Sequence, residues 1–175
     1  MNALSHLKLI ALIASLAFHV GCIDDDIDDD IDDDIEQTSS TSADLSQLYE
    51  IRSFMNNKCL DVLAFNNDNG AEAGMWDCWG GSNQRWYWNG SEIRSFMNNK
   101  CLDVLAFNND NGAHVGMWDC WGGANQQWYP DGGQIRSRFN NKCLDVLAFN
   151  NDNGARVGMW DCWGGSNQQW YMRPV

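Results

Sequence analysis

From Leu48 onward, apolar residues come in short runs separated by turn-forming residues, and no stretch sustains a 3.6-residue period. In the central part the runs are 92–96, 102–107, 115–121 and 127–129, apolar, aromatic and partly β-branched, as strands require. The same four strand candidates return at an offset of 42 residues, without insertion, on either side of this part. The pattern predicts an all-β domain over 48–175, built from three copies at 49–90, 91–132 and 133–175.

The copies are close to identical. Over the 36 residues beginning at Ile51, Ile93 and Ile135, the first two differ at four positions, the last two at four, and the outer two at five. Each copy holds two cysteines 19 apart. Six cysteines allow 15 pairings, but a threefold chain most simply closes each pair within its own copy: Cys59–Cys78, Cys101–Cys120 and Cys143–Cys162. Halfway between the first pair lies Asn-Asp-Asn-Gly (67–70), suited to a turn, so the segment reads as a β-hairpin. If the two cysteines face each other, opposite residues share an index sum of 137. Asp61 then faces Trp76, Asp103 faces Trp118 and Asp145 faces Trp160.

A carboxylate beside an indole suits a sugar. The C–H face of a pyranose stacks on an aromatic ring, and an ionised carboxylate accepts hydrogen bonds from hydroxyl groups. Asn83 and Gln84, with their counterparts Asn125, Gln126, Asn167 and Gln168, donate and accept at once, which also matches hydroxyls. The plainer reading makes the aspartate a turn cap and the tryptophan core. Trp79, Trp121 and Trp163 either widen the aromatic platform or pack, and packing is the favoured reading. Positions 72, 114 and 156, which are Glu, His and Arg, are read as tolerated surface.

Residues 1–21 have the layout of an export signal: Lys8, an apolar run too short to span a membrane comfortably, then Gly21 before Cys22. The sequence His19-Val20-Gly21-Cys22 resembles a bacterial lipoprotein signal, although His19 stands where leucine is usual; a cut after Ala17 would instead give a secreted protein. Cys22 is the odd one of seven cysteines, which favours lipidation and a cell-envelope location. Residues 22–47 include nine aspartates and one glutamate between Asp24 and Glu36, a self-repelling tether without the glycine or spacing of a calcium loop.

That block carries most of the formal charge of −13. Ten Lys and Arg stand against 13 Asp and Glu after residue 48, leaving about −3 there and no basic patch for nucleic acid. The folded part has one histidine, His114, and no nucleophile set beside a base. The cysteine spacing does not suit zinc, and no cofactor or metal is expected. A Trp-Asp pair once per copy hints at a propeller, but three blades are fewer than propellers use.

Three units of this length, each ending in Gln-x-Trp (Gln84–Trp86, Gln126–Trp128, Gln168–Trp170), resemble the ricin-type β-trefoil lectins over all of 48–175. The resemblance implies a β-trefoil with Trp86, Trp128 and Trp170 in its core. It also implies a shallow sugar pocket per repeat, formed by Asp61, Trp76, Asn83 and Gln84 and by the equivalent sets from Asp103, Trp118, Asn125, Gln126 and from Asp145, Trp160, Asn167, Gln168. The expected function is non-catalytic glycan binding, with galactose- or xylose-type sugars as partners; a protein-binding trefoil of the inhibitor kind is the alternative. The sequence departs from the family at Gly74, Gly116 and Gly158, where a pocket glutamine is common.

Overall fold

A computed structural model describes residues 47–175. The signal-like segment, Cys22 and almost all of the acidic stretch lie outside the described residues. Each copy contributes four strands. These are β1 (Tyr49–Ser53), β2 (Cys59–Val62), β3 (Ala73–Trp76) and β4 (Trp86–Asn89); β5 (Glu92–Ser95), β6 (Cys101–Val104), β7 (Ala113–Trp118) and β8 (Trp128–Asp131); and β9 (Gln134–Ser137), β10 (Cys143–Val146), β11 (Ala155–Trp160) and β12 (Trp170–Pro174). Among the described residues no helix is long and apolar enough to cross a membrane.

The first and last strands of each copy form a closed ring. β1 pairs with β12 over five positions and with β4 at Tyr49↔Trp86, while β4 pairs with β5 and β8 with β9. The remaining seams close through Trp128 N–H to Ser91 O and Trp170 N–H to Gly133 O, both 2.8 Å. The middle strands make three hairpins, β2–β3, β6–β7 and β10–β11. Their inner strands β3, β7 and β11 meet one another around the pseudo-threefold axis. This is a β-trefoil. Leu60, Met75 and Trp86, with their equivalents, fill the core, and each core indole donates to a leucine carbonyl, as Trp86 Nε1 does to Leu60 O at 3.0 Å.

The strand candidates at 102–107 and 115–121 are shorter than the pattern suggested. β6 stops at Val104, and Leu105–Phe107 is a 3₁₀ turn with Ala106 and Phe107 at φ 56° and 51°. β7 stops at Trp118. Left-handed backbone at alanine and phenylalanine is uncommon and carries no residue signature, so hydrophobicity alone reads straight through it.

The Asn-Asp-Asn-Gly turns do more than reverse the chain. Asn69 donates to Asp119 Oδ2 (2.8 Å), and its Oδ1 accepts from Lys100 Nζ (2.7 Å) and the Asp119 amide (2.9 Å). Gly70 N–H reaches Met117 O at 2.8 Å. The same clasp runs from Asn111 to Asp161 and from Asn153 to Asp77, closing the circle. Each lobe therefore holds the next.

Gly74, Gly116 and Gly158 sit where the lobes approach most closely. A Cβ on Gly116 would lie 2.5 Å from Ala71 O and 3.0 Å from Leu105 Cδ1, a distance only a backbone shift relieves. Packing accounts for these glycines, where the family pattern would place a glutamine. Gly116→Ala is expected to lower the unfolding free energy by about 2–3 kcal/mol, measured by urea denaturation; a loss within error would show that the axis tolerates the methyl group.

Candidate functional site

The hairpin β2–β3 supplies the floor and one wall of a pocket. Its register is Cys59↔Trp76, Leu60↔Met75, Asp61↔Gly74 and Val62↔Ala73. The index sum is 135, so the expected direct pairing of Asp61 with Trp76 is corrected by two residues, and the same holds in the other two lobes. The reason is that Cys78 lies beyond the end of β3 and reaches back to Cys59, with Cα atoms 5.2 Å apart. A shift of two keeps every side chain on its face. Asp61 and Trp76 are therefore diagonal neighbours lining one pocket. All three expected disulfides are formed.

Three equivalent open pockets of about 270–290 Å³ result. The first is lined by Asp61, Ala64, Phe65, Trp76, Trp79 and Asn83; the others by Asp103, Trp118, Asn125 and by Asp145, Trp160, Asn167 with the matching alanine, phenylalanine and second tryptophan. Trp76, Trp118 and Trp160 are each 42% exposed, whereas Asp61, Asp103 and Asp145 are only 3% exposed at the pocket bottom. The acid and the indole do not share the open surface; the indole stands above a sunken carboxylate.

Two amides hold that carboxylate. Asn83 Nδ2 donates to Asp61 Oδ1 and Gln84 Nε2 to Asp61 Oδ2, both at 2.8 Å, from a 3₁₀ turn over Ser82–Gln84. The other lobes repeat this with Asn125 and Gln126 on Asp103 and with Asn167 and Gln168 on Asp145. Gln84 is fully buried, and its remaining bonds go to Asp77 O, the Trp79 amide and the Gly80 amide. It therefore positions the acid and does not face the pocket. Asn83 does line it, and its Oδ1 is buried and unpaired, as are those of Asn125 and Asn167. Burial pushes the Asp61 carboxyl up to about 6 against the pull of the Gln84 and Asn83 amides, and shifts Asp103 and Asp145 upward for the same reason.

Three members of each pocket lie outside the predicted set: Ala64, Phe65 and Trp79 in the first, with their equivalents in the others. Trp79, Trp121 and Trp163, for which the sequence favours packing over widening the platform, are 57–58% exposed and line the pockets. Phe65, Phe107 and Phe149 back them with ring centroids 5.7–5.8 Å apart. The available signal was Gly80-Gly81, which leaves backbone bare for an indole to lie upon. Elsewhere, Glu50 with Cys59 and Cys78 brings metal-ligating atom types within 4.8 Å, but both sulfurs are spent in a disulfide and Arg52 already pairs with the carboxylate.

Residues 47–170 match the family model of the ricin-type β-trefoil lectin domain. The chain belongs to that family. Among solved structures, this ricin-type domain is similar to the designed threefold-symmetric protein ThreeFoil, with 30% identity and a TM-score of 0.67 over 71% of this chain and 96% of that one. It shares the fold of the C-terminal half of an earthworm R-type lectin, solved with GalNAc (24% identity, TM-score 0.66, 74% and 99% coverage). It also resembles part of an exo-β-1,3-galactanase from Clostridium thermocellum (28% identity, TM-score 0.69), spanning 74% of this chain but 30% of that one.

The sunken acids give this lectin domain an unusual acid response. With a folded pKa of about 6 against 3.8 for the free side chain, the native state binds more protons than the unfolded chain between those values. The resulting stability is fully present below about 4 and lost as pH rises through about 6. The Lys58–Asp77 pairs, whose acids are held below the ordinary value, act only at lower pH. The urea midpoint is therefore expected to be higher at pH 5 than at pH 7.5, with lobe one alone contributing roughly 1.4 kcal/mol; a lower midpoint at pH 5 contradicts the assignment.

Proposed function

We propose that the three pockets are carbohydrate sites and that the protein binds glycans without transforming them. The observation that carries this reading is the combination repeated in each lobe: an exposed indole above a buried carboxylate, with an unpaired amide oxygen beside it. The carboxylate oxygens each accept one amide hydrogen bond and keep a lone pair for a sugar hydroxyl. Asn83 lines the pocket beside the acid, its Nδ2 spent on Asp61 and its Oδ1 buried without a partner. Trp76 offers its face to the C–H side of the ring, and Gln84 holds the acid in place.

Each pocket is lined by one carboxylic acid, whereas glycoside hydrolysis needs a pair about 5–10 Å apart. The earthworm lectin half was solved with GalNAc, so pyranosides of the galactose and xylose types are the first ligands to try. A single open site of this size binds weakly, at roughly millimolar dissociation constants, and three on one rigid body gain about 10²–10⁴ on a multivalent glycan. The near-identity of the three copies favours equal small-ligand sites over the single distinctive loop of an inhibitor-like trefoil.

Replacing Asp61, Asp103 and Asp145 together by Asn turns an acceptor oxygen into a donor opposite amides that already donate. Retention of the folded triple variant on an immobilised glycan is expected to vanish, and replacing Trp76, Trp118 and Trp160 by Ala should do the same without touching the buried network. Retention equal to wild type in both would place binding elsewhere. Protonation should also weaken binding as pH falls through about 6, opposite in direction to the stability change; titration calorimetry at pH 7.5 and 5 reads it directly.

The location of the protein belongs to the same reading. The six cysteines of the repeats are paired with one another, which leaves Cys22 as the odd thiol and supports a lipid-anchored, exported lectin carried on an acidic tether. Cys22→Ala is expected to move the protein from the membrane fraction to the soluble one, and mass spectrometry of the mature N-terminus would show an unmodified chain if the anchor is wrong.

A further inference from the structure

We propose that Trp79, Trp121 and Trp163 are ligand-contacting residues, so that each pocket grips its sugar with two indoles. The inference rests on the carbohydrate reading of these pockets and adds a contact that the acid-and-indole pair does not contain.

Each of these tryptophans stands more than half exposed, yet it is held on two sides. Phe65 lies against Trp79 at 5.7 Å with the rings tilted by 57°. On the other side the indole lies over Gly81: a Cβ there would fall 2.2 Å from Trp79 Cζ2 and 2.6 Å from Asn83 Oδ1. The bare glycine thus lets the six-membered edge of the indole come down beside the unpaired Asn83 oxygen. The Trp79 amide is fixed as well, donating to Gln84 Oε1 at 3.0 Å. Side chain and backbone are both locked, and the locking group is the one that holds Asp61.

The support for Phe65 costs free energy. Ala64 and Phe65 are consecutive left-handed residues at φ 56° and 53°, and neither residue type favours that region. Left-handed backbone is strained at a non-glycine, and all three lobes adopt it at the same two positions. The product of this strain is an aromatic ring placed behind Trp79 and facing the pocket. A tryptophan needed only for the core would not require a strained turn to hold it at the surface, and the core already has its own indole, Trp86.

Two indoles narrow the ligand class. A pyranose or short oligosaccharide that uses both walls must offer C–H surface on more than one side. The acid at the pocket floor then takes hydroxyls between them. Stacking on a second ring should raise affinity about ten-fold per site.

The test uses the described domain's own full chain on an array of mono- and disaccharides ending in galactose, N-acetylgalactosamine, xylose and glucose. For the glycan bound best by wild type, Trp79, Trp121 and Trp163 replaced together by Ala should reduce affinity by roughly ten-fold, and the Tyr triple variant should restore most of it. Hydroxyl-radical footprinting of the wild type should show these three indoles protected by that glycan, a signature a merely structural tryptophan would not give. Unchanged affinity, or no protection of these residues while Trp76, Trp118 and Trp160 are protected, overturns the inference and leaves the carbohydrate reading standing. A wild type that binds nothing on the array sinks both.

Discussion

One side-chain amide in each lobe ties the pocket to the fold. Gln84 donates to the Asp61 carboxylate and to Asp77 O, and accepts from the amides of Trp79 and Gly80. It thereby fixes the acid at the pocket floor, the end of the hairpin and the start of the second aromatic wall. Two residues later Trp86 enters β4 and turns inward, its Nε1 bonded to Leu60 O. The Gln-x-Trp spacing is thus the joint between an outward polar network and an inward core. A buried amide with every position satisfied is rigid because any movement leaves an orphan. Losing it would free a buried carboxylate that has no other donor besides Asn83.

Much of this was legible because a residue pattern with period two survives an error of two. The hairpin register deduced from the cysteines is wrong by that amount, since Cys78 lies past the strand end, yet Asp61 and Trp76 still reach the same pocket. The trefoil was legible from the threefold repeat and from Gln-x-Trp. The left-handed turn at Ala64-Phe65 was not, because neither residue announces such a backbone and both look like strand. Trp79 was misread for a related reason. An aromatic residue beside a cysteine looks like core, and only the bare backbone at Gly81 reveals where an indole can lie. Gly74 was read as a missing pocket contact and proves to be a packing necessity at the axis.

The variable position among otherwise matched copies has a structural setting as well. Glu72 and Arg156 stand near the axis on neighbouring lobes and form an ion pair at 3.0 Å, while His114 is exposed. Both partners of the pair are substantially solvated, so its contribution to stability is small. Three different residues there break the symmetry of the surface without touching a pocket.

The three pockets and the fold rest on the same contacts. The pocket indole of one lobe is backed by the turn of the previous one: a Cβ on Gly70 would lie 3.9 Å from Trp118, on Gly112 the same distance from Trp160, and on Gly154 from Trp76. The turn is itself anchored through Asn69 to the Lys100–Asp119 pair of the lobe it supports. No pocket is therefore the property of a single 42-residue unit. A lone repeat would lack the backing of its tryptophan, the partner of its clasp and two-thirds of the barrel ring. The chain either closes all three seams or loses them together, and near-identical copies are what allow one clasp geometry to serve at every seam. The threefold repetition of the pocket then follows from the architecture: a fold that needs three equal lobes to close its core presents three equal pockets as a consequence.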